Sequence, residues 1–157
     1  MTEQIELLED LEKNFLAMQK ELKFKTNFEK IDEIFFIKDM VLKEGFVSER
    51  LSRRICHRIV ETFMDWNGYL HSLVMPNPQN MLNLMESKLF NQEEKKDIME
   101  LMKKIMEISS RNSVIALKKD KHGEAKFIDD AVSFWNNTFQ NKLDKIMTKI
   151  NLEWSKK

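Results

Sequence analysis

The stretch that decides the fold is residues 45–75, GFVSERLSRRICHRIVETFMDWNGYLHSLVM. At 100° per residue, its apolar side chains fall on one stripe, as in a helix that packs against a core. The stripe contains Leu51, Ile55, Ile59, Phe63, Trp66, Leu70 and Leu73, with Ser52 and Cys56 beside them. We therefore predict a long amphipathic helix, capped by Ser48, with this stripe facing inward.

The opposite face of this helix is the candidate binding site, because it gathers four of the five arginines of the chain. Its candidate partner-binding residues are Arg50, Arg53, Arg54, His57 and Arg58. Guanidinium groups bind phosphate or carboxylate in bidentate fashion, and elsewhere the chain uses lysine almost throughout. The alternative is a solvated face whose arginines pair with Glu49, Glu61 and Asp65, or with an acidic first helix.

Length and composition predict one helical domain over residues 1–157. A chain of 157 residues fits one domain, and three glycines and two prolines are too few for a β-rich protein. The 26 basic and 26 acidic residues give zero net charge, so any binding of nucleic acid or an anionic surface has to be local. Hydrophobic content of 42% excludes a disordered chain.

The single cysteine, Cys56, excludes disulfide frameworks and cysteine zinc sites, and we predict a reducing, cytoplasmic location. Apolar runs stay short of 18 residues, and the first turns carry Glu3 and Glu6 where a basic signal region would stand, so we expect neither a membrane span nor an export signal. His57 and His71 would lie about 21 Å apart on a straight helix, too far to share a metal. We predict no metal and no cofactor.

The rest of the pattern completes an all-α fold. Asn27 and Gly45 mark the ends of a second helix, and Asn91 with Glu94 forms a capping box. The predicted helices cover residues 3–24, 27–44, 48–74, 78–89, 91–117 and 124–154, with an exposed loop at 118–123. We expect an antiparallel single-domain bundle of five to six helices with long third and last helices. The second helix is apolar nearly all round, so it is predicted to be central, and a homodimer interface along it is the alternative.

Two further apolar tracts have alternative interpretations. Six of the eleven methionines fall between Met75 and Met106, where core packing is the first interpretation and an adaptable groove for a partner helix the second. Trp135 and Phe139 could stack on bases, but their spacing of four places them on an apolar stripe that is predicted to face inward.

Convergent catalytic groups are scarce, so the leading prediction is a non-enzymatic interaction module or accessory subunit of a larger cytoplasmic assembly. It would bind an acidic protein surface or an RNA backbone through the arginine face. The first alternative is a ribonuclease of HEPN type, a class of small helical bundles with an Arg-x4-6-His motif, using Arg50 and His57. Such enzymes usually carry a polar residue after the arginine, where this chain has Leu51, and a second tract starting at Arg111 has Ala116 where the histidine belongs.

The second alternative is a DNA-binding protein with a helix-turn-helix near residues 37–55. Gly45 occupies the turn position, but Glu44 and Arg54 are charged where the motif has apolar residues.

Overall fold

The computed structural model describes residues 1–156, and every regular segment of that part of the chain is helical. The helices are α1 (Thr2–Leu22), α2 (Phe28–Phe35), α3 (Ile37–Glu44), α4 (Leu51–Val74), α5 (Met81–Ser87), α6 (Gln92–Lys118), α7 (Lys121–Phe134), a π-helical segment (Trp135–Phe139) and α8 (Gln140–Trp154). The all-α class is confirmed, as are the long arginine helix and the long helical run at the end of the chain.

Contacts within the chain fall into two compact units. Unit 1 contains residues 1–62 and 110–133, and unit 2 contains residues 63–109 and the chain from 134 onward. A single domain over the whole chain and an antiparallel arrangement stay predictions, and the predicted count of five to six helices is not confirmed.

The predicted second helix is two helices, because the chain turns left-handed at Phe36, with φ 55° and ψ 53°. The backbone N–H of Phe36 donates to the carbonyl of Asp32 at 2.8 Å, which closes α2. The carboxylate of Asp32 accepts from the N–H of Lys38 at 2.8 Å and so caps α3. The outer boundaries are as predicted: Asn27 caps α2, and Gly45 ends α3 with φ 83°.

Unit 1 buries the apolar stripes of its helices around α2, α3 and the first half of α4. The buried side chains include Leu11, Phe15, Ile31, Phe35, Ile37, Val41, Ile55, Ile59, Phe127 and Ile128. Asp129 of α7 ties down the linker between α1 and α2. Its carboxylate accepts hydrogen bonds from the N–H groups of Lys25 and Thr26 and from the Thr26 hydroxyl, at 2.6–3.2 Å.

The predicted loop 118–123 is mostly helical. The carboxylate of Asp120 accepts the N–H of Gly123 at 2.9 Å, which starts α7 at Lys121, three residues before the predicted start. The predicted helix 78–89 is also shorter. Asn77 closes only a turn with Gln79, and Asn80 is the residue that caps α5, by accepting the N–H of Asn83.

Unit 2 packs around an aromatic cluster centred on Phe63. The rings of Trp135 and Phe139 lie 5.8 and 5.2 Å from the ring of Phe63, so their inward orientation is confirmed. The capping box is also confirmed, since Asn91 and Glu94 each accept the other's backbone N–H. The core interpretation of the methionines is wrong for Met75, Met81, Met85, Met99 and Met106, which are exposed.

Candidate anion-binding cleft at the start of α4

The first turn of α4 is positioned by its apolar stripe and follows a short turn at Ser48. The hydroxyl of Ser48 accepts the N–H of Arg50 at 3.1 Å, but Arg50 precedes α4, so Ser48 closes a turn before the helix and the prediction that it caps the helix is wrong. Leu51 and Ile55 are buried, and this fixes the rotation of the helix. This rotation sets the direction in which each of the five predicted binding residues points. The surroundings of the five side chains nevertheless differ.

Arg53 points into the protein and joins a buried polar network. One guanidinium nitrogen donates to Asn112 Oδ1, and Nη1 lies 3.5 Å from Glu124 Oε2. The Ser52 hydroxyl donates to Glu124 Oε1 at 3.1 Å. The side chains of Arg53 and Glu124 are only 17% and 8% exposed, and Arg53 Nη1 is buried without a hydrogen-bond partner among the described residues.

Sequence reasoning missed Glu124 and Asn112, although a signal for Glu124 was present. Glu124 precedes Phe127 and Ile128 by three and four residues, so it lies on the buried stripe of α7. A carboxylate on a buried stripe requires a partner, because an unpaired buried charge is costly. Only the fold shows that its partner comes from α4.

Cys56 lies beside this network and is also buried. Its sulfur is 3.7 Å from the carbonyl oxygen of Glu124. Burial raises the pKa of the Cys56 thiol from 9.0 to about 12, and this outweighs the opposite effect of the Arg53 charge. The thiol is therefore protonated at neutral pH and is a poor nucleophile.

Arg54, His57 and Arg58 gather around two carboxylates. Arg54 Nε donates to Glu44 Oε1 at 2.7 Å. Glu61 lies 3.0 Å from His57 Nε2, 3.5 Å from Arg58 Nη1 and 3.9 Å from Arg54 Nη1. Pairing with Glu61 was predicted as the alternative to an open face, whereas Glu44 was not named as a partner. The arginines make no ion pair with the acidic residues of α1 in the part of the chain that the structure describes.

Arg50 differs from the other arginines. Its side chain is exposed and makes no ion pair with any residue from 1 to 156. It lines a cleft of about 350 Å³ in unit 1, formed by the second half of α1, the end of α6 and the starts of α4 and α7. Lys119 and Lys121 line the same cleft, and so do Glu21 and Glu49.

The structure also describes the residues of the two alternative sites, the Arg50 and His57 pair and the helix-turn-helix at residues 37–55. His57 does not line the cleft that Arg50 lines, and its imidazole pairs with Glu61. The turn between α3 and α4 spans residues 45–50. Glu44 and Arg54, which are charged where a helix-turn-helix has apolar residues, form an ion pair with each other. Catalysis by Arg50 with His57 and DNA binding by residues 37–55 stay untested predictions.

Comparison with protein-family models, curated proteins and solved structures finds no match to this chain. Across residues 1–156, histidine, cysteine and carboxylate side chains form no group of three that could hold a metal ion. None of the helices in this part is both long and apolar enough to cross a membrane.

Proposed function

We propose that this chain is a non-enzymatic interaction module that binds an acidic segment of a protein partner at the start of α4. The observation that carries the proposal is the exposed guanidinium of Arg50, which makes no ion pair within residues 1–156, at a cleft that also presents Lys119 and Lys121. A guanidinium without an internal partner can bind a carboxylate in bidentate fashion without breaking an existing ion pair.

The charge pattern around the cleft favours a protein partner over RNA. The exposed carboxylates Glu21 and Glu49 stand among the three exposed cations of the cleft, so a continuous phosphate backbone would meet repulsion at both of them. A peptide can place an acidic side chain beside the cations and basic or neutral side chains beside these two carboxylates. The zero net charge of the chain also provides no long-range attraction for RNA.

The paired arginines support the same proposal by holding the cleft in shape. Arg53 connects α4 to Asn112 of α6 and Glu124 of α7, and Arg54 connects α4 to Glu44 of α3. Walls that are fixed before binding lower the entropic cost of association. We therefore assign Arg50 to partner contact and Arg53 and Arg54 to positioning. His57 and Arg58, which share Glu61, do not line the cleft and are not assigned a contact.

The test measures fluorescence anisotropy with two labelled probes at low salt, a glutamate-rich peptide interspersed with serine and lysine, and a uridine oligonucleotide. The triple variant Arg50→Gln, Lys119→Gln, Lys121→Gln should weaken peptide binding at least tenfold, because the three exposed cations of the cleft are removed. The matched control is Lys103→Gln, Lys104→Gln, Lys126→Gln, which removes three exposed lysines outside the cleft. Its peptide binding should equal that of the wild type.

Three results would overturn the proposal. Binding of neither probe would remove the cleft as an anion site. Tighter binding of the oligonucleotide than of the peptide, lost in the triple variant, would assign the cleft to RNA. Cleavage of the oligonucleotide that His57→Ala abolishes and Arg53→Ala preserves would make the chain an enzyme.

A further inference from the structure

Unit 2 has a cleft of its own, the lysine cleft, which lies between the start of α6 and α8 and has a volume of about 350 Å³. Each helix contributes four residues, whose spacing of three, four and seven positions puts them on one helix face. From α6 they are Glu94, Asp97, Ile98 and Leu101. From α8 they are Lys142, Lys145, Ile146 and Lys149. Phe90, just before α6, completes the lining.

The floor of the lysine cleft is apolar. Phe90, Ile98 and Leu101 are only 2–6% exposed, so the core of unit 2 fixes their positions. Ile146 is half-buried and lines the cleft from α8. The methylene stems of the lysines add apolar surface to the walls, because lysine packs its stem and leaves its ammonium in water. An apolar floor of this size with a few charged groups at its edge is typical of a site for a small molecule.

One end of the lysine cleft is closed by an ion pair between its two walls. Lys149 Nζ donates to both carboxylate oxygens of Glu94, at 2.8 and 3.0 Å. The same ammonium lies 5.1 Å from the centre of the Phe90 ring, so that face of the ring is not free to stack on an aromatic ligand. A partner helix lying along the groove would have to break this bridge. The closed end therefore favours a short aliphatic ligand.

The charges away from the closed end select an anion. Lys142 and Lys145 are exposed and make no ion pair with any residue from 1 to 156. Asp97 is also exposed and makes no ion pair within these residues. The five charged side chains of the lining are three lysines and two carboxylates, which leaves one net positive charge. A ligand with a single negative charge neutralises the cleft, whereas a cation would add to the excess.

We propose that the lysine cleft binds a medium-chain aliphatic carboxylate, with its charge at Lys142 and Lys145 and its chain along the apolar floor toward the closed end. The four residues of each wall span two helical turns, about 10 Å, which is roughly the length of an extended octanoate. A phosphate monoester carries nearly two negative charges and would overshoot the net charge of the cleft. A peptide is a poorer ligand, because its amide groups would lose water above a floor without hydrogen-bond partners.

Titration of the isotope-labelled full chain with octanoate, followed by amide chemical shifts in NMR spectra, tests the proposal. The shifts should be largest at the start of α6 and in α8, and should saturate with a Kd of about 0.1–1 mM, as expected for a ligand of about ten heavy atoms. Acetate lacks the chain, 1-octanol lacks the charge and octylammonium has the opposite charge. Each of these three probes should bind at least fivefold more weakly than octanoate.

Two variants test the charge and the floor separately. Lys142→Gln, Lys145→Gln removes both unpaired lysines and should weaken octanoate binding at least fivefold. Its matched control is Lys103→Gln, Lys104→Gln, which alters two exposed lysines of α6 outside the cleft and should bind like the wild type. Ile146→Trp fills the cleft and should abolish binding. Ile146 is partly exposed, so helical circular dichroism should not change; if it does, the lysine variant decides.

Four results would overturn the proposal. Shifts that fail to saturate up to about 20 mM octanoate would remove the site. Octanoate binding that is unchanged in Lys142→Gln, Lys145→Gln would remove the lysines as its charge partners. Octylammonium that binds as tightly as octanoate would assign the cleft to a cation at Asp97. Tighter binding of acetyl-leucyl-leucine than of octanoate would assign it to the carboxyl end of a protein partner.

Discussion

The start and the end of α4 differ in opposite ways from what helical periodicity predicts. At the start, Arg53, Arg54 and Arg58 lie on the face expected to be open, yet all three have partners within the protein. At the end, Met75 and the methionines of α5 were expected to be buried, yet they are exposed. Helical periodicity identifies the faces of a helix, but residues distant in sequence decide which face is covered.

Among the substitutions that compare buried with exposed residues, Phe63→Ala is expected to lower stability the most. Its ring is fully buried in the aromatic cluster of unit 2, so the substitution should lower the free energy of unfolding by about 3–5 kcal/mol. Met81→Ala should change it by less than about 0.5 kcal/mol, because Met81 is exposed. Urea denaturation measures both values, and equal losses would show that Met81 is covered in solution.

Glu124→Ala tests the buried ion pair between Arg53 and Glu124 near the start of α4. It leaves the guanidinium of Arg53 buried without its carboxylate, so unfolding free energy should fall by about 3 kcal/mol. Glu49→Ala, an exposed glutamate that lines the same cleft, serves as the control and should cost less than about 0.5 kcal/mol. The double variant Arg53→Met, Glu124→Leu should regain most of the loss. A double variant less stable than Glu124→Ala would show that the pair is not the cause.

Arg54→Gln and Arg50→Gln should separate positioning arginines from the contact arginine. Arg54 is partly buried against Glu44, and its loss should reduce the free energy of unfolding by about 1 kcal/mol. Arg50→Gln should leave stability within about 0.5 kcal/mol of the wild type while weakening the binding of the acidic peptide. Thermal denaturation and anisotropy report the two effects. The assignment fails if Arg50→Gln destabilises the protein as much as Arg54→Gln does.

The smallest expected effect on stability is that of the Glu94 carboxylate in unit 2. The hydrogen bonds from Lys149, at 2.8 and 3.0 Å, and from the backbone of Asn91 lower the pKa of Glu94 below 4.5. A pKa that is lower in the folded than in the unfolded state stabilises the fold above the unfolded pKa, and the gain disappears as pH falls through the folded pKa.

Since Glu94 is partly exposed to solvent, its contribution should be only a few tenths of a kcal/mol. The stability difference between wild type and Glu94→Gln, from urea denaturation at pH 7 and at about pH 3, should therefore shrink at the lower pH. A difference that grows on acidification would contradict this sign.

The sequence predicted most of the helices because their signals are local. Asn27, Gly45 and the Asn91–Glu94 capping box act within four residues, and the stripe of α4 has a regular period. The break at Phe36 escaped prediction because glycine is the usual residue at positive φ, and a phenylalanine gives no such signal. The start of α7 at Lys121 escaped prediction because the charged run at 118–123 favours an exposed loop.

The site was less predictable than the fold, since its ion pairs join residues far apart in the chain. Arg53 meets Glu124 across 71 positions, and Arg54 meets Glu44 of the preceding helix. Arg50 was predicted to bind a partner together with the other arginines, but its lack of an ion pair within residues 1–156 depends on where α1, α6 and α7 pack. Spacing along one helix contains no information about these neighbours.

Because Cys56 is buried, its chemical labelling reports transient opening of unit 1. Because it is the sole thiol, and is protonated and covered in the folded state, an alkylating reagent can reach it only in molecules whose unit 1 has opened. When reclosing is faster than alkylation, the labelling rate is proportional to the population of the open form. The kinetics of one covalent label therefore measure the local stability of unit 1 under native conditions, without denaturant.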